Sequence, residues 1–160
     1  MTCIRIAAAG DLHADQRTRS RVEEAFGHVA DAADVVLLAG DLTAHGELDE
    51  MDVVASAAAE VADCPLRVVL LHYSPTMSTL VGEPESIWTY LGTNRLDGPI
   101  QKHRPDLVLH GHAHEGTFAG SVGPVPVYNV AVHVMRRDFF VFELDTDAPD
   151  GHGARLEATV

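Results

Sequence analysis

Four apolar runs, separated by segments of helical periodicity, constrain the fold of this chain more than any other feature. The runs are CIRIAAAGD (3–11), DVVLLAGD (34–41), LRVVLLHY (66–73) and RPDLVLHGH (104–112). Each run falls well short of the roughly 20 apolar residues that a membrane helix needs. Apolar strands that do not alternate with polar residues, and that are joined through helices, indicate a parallel sheet covered on both faces. The sequence therefore predicts an α/β fold.

The segments between and after these runs carry the patterns of helices, loops and short strands. Residues 16–33 and 47–63 have apolar side chains at helical spacing, and each predicts a helix. Residues 74–86 are polar and rich in turn formers, which predicts a surface loop, and a helical stretch follows to about His103. The C-terminal segments are short, apolar and separated by Gly and Pro, which predicts an antiparallel meander: GTFAG, PVPVYNVAV and RDFFVFEL.

Length, charge and cysteine content narrow the class of protein. The 160 residues are 46% hydrophobic, which predicts a single domain over 1–160. A net charge of −13 argues against a nucleic-acid-binding surface, because such a surface needs basic residues to displace counterions. The N-terminus lacks the pattern of a secretion signal, and Cys3 and Cys64 are expected to be small core residues in a reducing compartment. We expect a cytoplasmic protein with no membrane partner.

Every apolar run ends in side chains of the kind that bind metal ions. These six candidate ligands are Asp11, His13, Asp41, His72, His112 and His114. Because the carboxyl ends of parallel strands lie along one edge of a sheet, we expect the six to converge there. A glycine precedes three of them and is expected to make the sharp turn. A single such residue more often marks turn chemistry or a hydrogen-bonded rim residue, but six at four strand ends predict a metal site.

The same residues carry a resemblance to a known family. GDLH (10–13), GDLT (40–43), LLHYSP (70–75) and HGHAH (110–114) resemble, in order, four of the five motif blocks of the calcineurin-like metallophosphoesterases. The four blocks span about two thirds of the chain. The resemblance implies a metallophosphoesterase-like αββα sandwich and a hydrolase that cleaves a phosphomonoester or phosphodiester with metal-bound hydroxide. It also implies a small phosphoester as the substrate.

Carried over residue by residue, the resemblance implies two metal positions, with Asp11, His13 and His114 at one, His72 and His112 at the other and Asp41 bridging both. Two cations about 3.5–4 Å apart acidify a bridging water and hold the phosphoryl group for in-line attack. Mixed carboxylate and imidazole ligands suit Mn, Fe or Zn. His110 has no ligand role in the family pattern, and we expect it to pack or hydrogen-bond beneath the ligands.

The family's G-N-H-D or G-N-H-E block is missing, so the chain resembles a member shortened by an internal deletion. The resemblance then implies a second metal with three protein ligands, weaker protonation of the leaving group and a sheet edge exposed by a lost strand, which predicts a homodimer. The candidate substitutes are Asn94, Asn129, His45, His103 and His133. His45 follows Asp41 in GDLTAHG and is the predicted substitute, with both residues assigned to catalysis. Asp15 is expected to cap the following helix.

Two functions stay open on the sequence. One is a metal-dependent phosphoesterase that binds one or two divalent ions per chain. The other is a catalytically impaired metal-binding remnant of such an enzyme, serving a binding or structural role, and the missing block favours it. A nucleotide-binding Rossmann domain is excluded, because AAAGDLH lacks the second and third glycines of the phosphate fingerprint.

Overall fold

Helices and strands alternate along the chain through the fourth strand, and short strands dominate after it. A computed structural model describes residues 6–30, 32–33, 35–38, 42–60, 67–144 and 154–157. The helices are α1 (Arg19–Ala30), α2 (Leu48–Glu60), α3 (Trp88–Leu91), α4 (Asp97–His103) and α5 (Val132–Met135). The strands are β1 (Ile6–Ala9), β2 (Val35–Leu38), β3 (Val68–Leu70), β4 (Leu107–His110), β5 (Ala119–Val122), β6 (Val125–Asn129), β7 (Val141–Leu144) and β8 (Ala154–Glu157). This mixture confirms the α/β class.

The chain divides into two compact units, Met1–Cys64 and Pro65–Val160. Whether the two units belong to a single domain, as the sequence predicts, stays a prediction. Cys3 and Cys64, which the sequence predicts to be core residues, lie outside the described residues. In the part of the chain that the structure describes, no helix combines the length and the apolar character that crossing a membrane requires.

The first unit packs α1 and α2 against a two-stranded parallel sheet. Its buried cluster joins side chains of both helices and of the loop after β1: Ala14, Val22, Phe26, Val53, Val54 and Ala57. Val36 and Leu38 of β2 pack on this cluster, whereas the alternate residues Val35 and Leu37 are 38% and 51% exposed. The prediction of a buried strand over 34–41 is therefore wrong for its described residues 35–38, because only one face of β2 is covered.

The second unit contains a four-stranded sheet in the order β3–β4–β6–β5, in which β3, β4 and β6 are parallel and β5 is antiparallel to β6. Its buried cluster consists of Ile100, Val108, Val122, Val125 and Val127. The central strand β4 is buried, as predicted for 104–112. The end strand β3 exposes Val68 (45%) and Leu70 (68%), so the prediction of a buried strand over 66–73 is wrong.

Two further predictions fail in the second unit, and both failures have a physical reason. Residues 74–80 form a largely buried segment rather than a surface loop, because the hydroxyls of Ser74 and Thr79 hydrogen-bond at 2.7 Å and Leu80 is 0% exposed. Residues 81–86 are mainly exposed, as predicted. The C-terminal strands do not form a single meander. The β5–β6 hairpin joins β4 through parallel pairing of β6, while β7 pairs with β8. A pattern of short strands does not reveal that β6 has a parallel partner.

Candidate active site

The loops that leave β1 and β2 run side by side in the first unit. The backbone N–H of Ala14 donates to the carbonyl oxygen of Leu42 at 2.9 Å, and the N–H of Ala44 donates to that of Ala14 at 3.1 Å. The loop that carries His13 is thereby fixed beside the segment that follows Asp41. Asp41 itself lies outside the described residues.

Three predicted ligands have left-handed backbone conformations. Asp11, His13 and His112 have φ angles of 51°, 45° and 66°. Among the described residues, the other non-glycine positions with positive φ are Arg104 and Arg136. These two arginines end α4 and α5, where helices commonly terminate in this conformation. A non-glycine residue in this conformation costs of order 1–3 kcal/mol, and such residues cluster at functional sites. Aspartate and histidine adopt it several-fold more often than most other residues.

The prediction that glycine makes the sharp turns is wrong at Gly111. Its φ is not left-handed, and a Cβ placed on it would meet nothing within 4 Å. The left-handed conformation instead falls on the next residue, His112. The chain therefore turns at the predicted ligand itself, so the backbone conformation of His112 sets the direction of its side chain.

In the second unit, the carboxyl ends of three parallel strands carry four histidines. His72 follows β3, His112 and His114 follow β4, and His133 lies in α5 just after β6. The rings of His72 and His112 have centroids 4.7 Å apart and are tilted by 52°. His114 stacks on His133 with centroids 4.4 Å apart and planes 16° from parallel. The topology therefore brings the predicted ligands of this unit to one edge of the sheet.

The donor types of each unit, taken by itself, suit a divalent transition metal. Imidazole suits Zn, Mn and Fe together with carboxylate oxygen. The side chains of Asp11, His13, His72 and His114 are exposed, so an ion could reach them from solvent. Among the described histidine, cysteine, aspartate and glutamate side chains, no group of three or more is arranged to hold a metal ion. The predicted bridging ligand is not part of that set.

His110 is held in a buried network of hydroxyl groups. Its ring is 0% exposed, and Nδ1 donates to the carbonyl oxygen of Gly111 at 2.8 Å, since a carbonyl can only accept. Burial lowers the pKa of His110, so the ring is neutral and Nε2 accepts from the hydroxyl of Thr79 at 2.8 Å. The Oγ atoms of Thr79 and Ser74 are 2.7 Å apart. We call Ser74, Thr79 and His110 the His110 network. It confirms that His110 hydrogen-bonds beneath the predicted ligands.

His45 has a different environment in the turn before α2. Its Nδ1 donates to Oε1 of Glu50 at 2.7 Å, and its backbone N–H donates to Oε2 of Glu50 at 2.8 Å. The side chain of His45 is 69% exposed, whereas that of Glu50 is 7% exposed. The hydrogen bond and charge of Glu50 raise the pKa of His45, and the same hydrogen bond lowers the pKa of Glu50. We call His45 and Glu50 the His45 pair.

Two other polar residues considered from the sequence, Asp15 and Asn129, have structural contacts. Asp15 accepts the backbone N–H groups of Thr18 and Arg17 at 2.8 Å each, and these bonds lower its pKa. The predicted cap therefore lies on the turn that leads into α1, because the helix itself begins at Arg19. Asn129 is 0% exposed; its Nδ2 donates to the carbonyl oxygen of Ala113 at 2.6 Å. Asn129 therefore holds the loop that follows β4, and its side-chain amide is engaged in hydrogen bonds rather than available as a metal ligand.

Sequence reasoning missed Glu50 and Thr79, and a local signal existed for one of them. Glu50 is the third residue of α2, where a glutamate commonly reaches back to the backbone N–H groups that begin a helix. Its contact with the N–H of Glu47 at 3.2 Å follows that pattern. Thr79 meets His110 from 31 positions away, and no local pattern indicates that contact.

Comparison with known proteins adds no family to these observations. No protein-family model, curated protein or solved structure gives a significant match to the chain. The resemblance to metallophosphoesterases therefore rests on the four motif blocks of the sequence, and it stays a prediction.

Proposed function

We propose that this chain is a metal-dependent phosphoesterase that hydrolyses a small phosphomonoester or phosphodiester. The observation that carries the proposal is the left-handed backbone at Asp11, His13 and His112. These positions were selected from the motifs, and their φ angles are a separate observation. Aspartate and histidine are several-fold enriched among the non-glycine residues with positive φ, so the residue type contributes to the coincidence. Strained residues persist where the surrounding structure holds them in that conformation, and they cluster at active sites and ligand-binding sites. Three of them at predicted ligands support a built site rather than chance turns.

In the proposed reaction, different residues bind the metal ions, donate the proton and fix the loop that carries two of the ligands. The ligands are the six that the resemblance names, and two bound divalent ions would acidify a water and neutralise charge on the phosphoryl group. The exposed imidazole of His45 supplies a proton to the departing oxygen. Asn129 and the His110 network fix the loop that carries His112 and His114. A homodimer and a cytoplasmic location belong to the same proposal, the first from the predicted lost strand and the second from the cysteine content.

The alternative function is a metal-binding remnant without turnover, and the missing G-N-H-D/E block favours it. Such a protein would keep at least one ion for a binding or structural role. It would differ from the enzyme in one observable: metal would bind with no acceleration of phosphoester hydrolysis.

The test is hydrolysis of 4-nitrophenyl phosphate and bis(4-nitrophenyl) phosphate by the Mn-loaded chain. We expect turnover that a chelator removes. Asp41→Ala should lower kcat more than about 100-fold, because metal ions contribute several kcal/mol to the transition state and each 1.36 kcal/mol is a factor of ten. The matched control is Asp138→Ala at an exposed aspartate outside the predicted site. Bound metal without turnover would establish the remnant, and neither metal nor turnover would refute both functions.

A further inference from the structure

Glu50 makes a hydrogen bond beyond those that cap a helix. Its Oε2 accepts the backbone N–H groups of His45 and Glu47 at 2.8 and 3.2 Å. Those two bonds hold the turn at the start of α2. The other oxygen, Oε1, is directed to the ring of His45 at 2.7 Å. One buried carboxylate therefore fixes both the backbone and the side chain of the same histidine.

The geometry of the pair determines which ring nitrogen faces outward. An ionised carboxylate can only accept, so Nδ1 of His45 carries a proton and donates it to Glu50. Nε2 lies on the opposite side of the imidazole, and the side chain is 69% exposed. A histidine held by a carboxylate through one nitrogen keeps one tautomer and one orientation.

We propose that Glu50 is the positioning residue that holds His45 with Nε2 directed outward to donate a proton to the leaving group of the substrate. This inference rests on the proposed phosphoesterase function. In the step, a water oxygen bonds to phosphorus while the bond between phosphorus and the leaving oxygen breaks. The electron pair of that bond stays on the leaving oxygen, which takes the proton from Nε2 of His45. The neutral ring then regains a proton from solvent, and the proton of the attacking water passes to solvent.

The charges around His45 support this role. Glu50, from α2, raises the pKa of His45 by its hydrogen bond and its charge. From the turn before α1, Asp15 raises that pKa and Arg17 lowers it through their charges. A raised pKa keeps a larger fraction of the ring protonated near neutral pH, which is the state that a proton donor needs.

The first experiment follows the His45 ring by NMR titration of the Zn-loaded chain, so it does not depend on turnover. The variants are Glu50→Gln, which retains an acceptor for the backbone N–H groups, and Asp49→Asn, which removes one charge from the same helical turn. His45→Gln assigns the signal and keeps Glu50 in place. We expect the pKa of His45 to fall in Glu50→Gln and to change little in Asp49→Asn. Equal values in the wild type and Glu50→Gln would overturn the positioning role.

The second experiment compares substrates with different leaving groups on the Mn-loaded chain. Phenyl phosphate releases a more basic oxygen than 4-nitrophenyl phosphate and depends more on a proton donor. We expect His45→Gln and Glu50→Gln to lower kcat on phenyl phosphate by about 10²-fold or more, with a much smaller loss on 4-nitrophenyl phosphate. In the wild type, kcat should fall as the pH rises through the pKa of His45, and Glu50→Gln should move that fall to lower pH.

Failure of this inference differs from failure of the proposed function. Equal losses on the two substrates would indicate a structural effect and overturn the proton-donor role. If Glu50→Gln does not fold, His45→Gln alone decides the leaving-group test, because it preserves the backbone contacts of Glu50. No hydrolysis by the wild type would refute the phosphoesterase function and, with it, the donor role, while the NMR titration would still decide whether Glu50 controls His45.

Discussion

His45 and His110 each make a short hydrogen bond through their rings, yet they have opposite protonation behaviour. His45 is exposed and faces a carboxylate, so its pKa is raised. His110 is buried and faces a hydroxyl and a carbonyl, so its pKa is lowered. The partner and the degree of burial, rather than the residue type, decide whether a histidine of this chain carries charge near neutral pH.

The difference in burial and protonation indicates different roles for the His110 network and the His45 pair. The His110 network is neutral, fully buried and linked to the segments after β3 and β4, so it can fix the loops that carry predicted ligands. The His45 pair is charged and open to solvent on one side, so it can exchange protons. The predictions that follow separate a structural histidine from a chemical one.

Removing the two rings should produce the largest contrast. His110→Ala should lower the free energy of unfolding by about 3 kcal/mol, because it leaves a cavity and removes the hydrogen bond between the ring and the buried hydroxyl of Thr79. His45→Ala should shift the urea midpoint far less, since its ring is 69% exposed. His110→Gln, which offers an acceptor to Thr79, should recover part of the loss. Equal midpoint shifts for His110→Ala and His45→Ala would contradict the assignment.

A smaller effect distinguishes two glycines within the stretch HGHAHEG. A Cβ on Gly116 would collide with the carbonyl oxygen of Thr79, whereas a Cβ on Gly111 would meet nothing within 4 Å. Gly116→Ala should therefore cost about 1–3 kcal/mol by overpacking, and Gly111→Ala should have little effect. Urea denaturation of both variants measures this. A Gly111→Ala loss as large as that of Gly116→Ala would show that the packing against Thr79 is misassigned.

The smallest effect is a pH dependence of stability from the His45 pair. The pKa of His45 is raised above 6.5, so its stabilisation is full below that pH and is lost as the pH rises through the folded pKa. The pKa of Glu50 is lowered below 4.5, so its stabilisation is present above that pH and is lost as the pH falls through the folded pKa. The stability difference between wild type and Glu50→Gln should peak between 4.5 and 6.5. A difference independent of pH would exclude the ion pair.

The sequence predicted local features well where the pattern and the contact are both local. The helices near Val22 and Val53, the buried strand at Val108 and the backbone contacts of Asp15 in the turn before α1 follow from periodicity or capping rules. The buried role of His110 was also predicted, because its position in the motif left it without a ligand role.

Features that depend on distant partners could not be predicted in the same way. An apolar strand looks alike whether one face or both are covered, so the exposure of Leu37 and Leu70 was missed. The polar segment after His72 was read as a surface loop because its hydroxyls find partners only in the folded chain, as Ser74 and Thr79 do. The choice of His112 rather than Gly111 for the left-handed turn reverses the usual preference for glycine, which no local propensity predicts.

Metal content per chain, measured by elemental analysis after loading with Zn and removal of free ions, tests the central claim most directly. The comparison uses His112→Ala and, as a matched control, His28→Ala at an exposed histidine of α1. The account predicts one or two ions per chain in the wild type and in His28→Ala, with a clear loss in His112→Ala. Metal content that is negligible in the wild type, or the same in all three proteins, would contradict it.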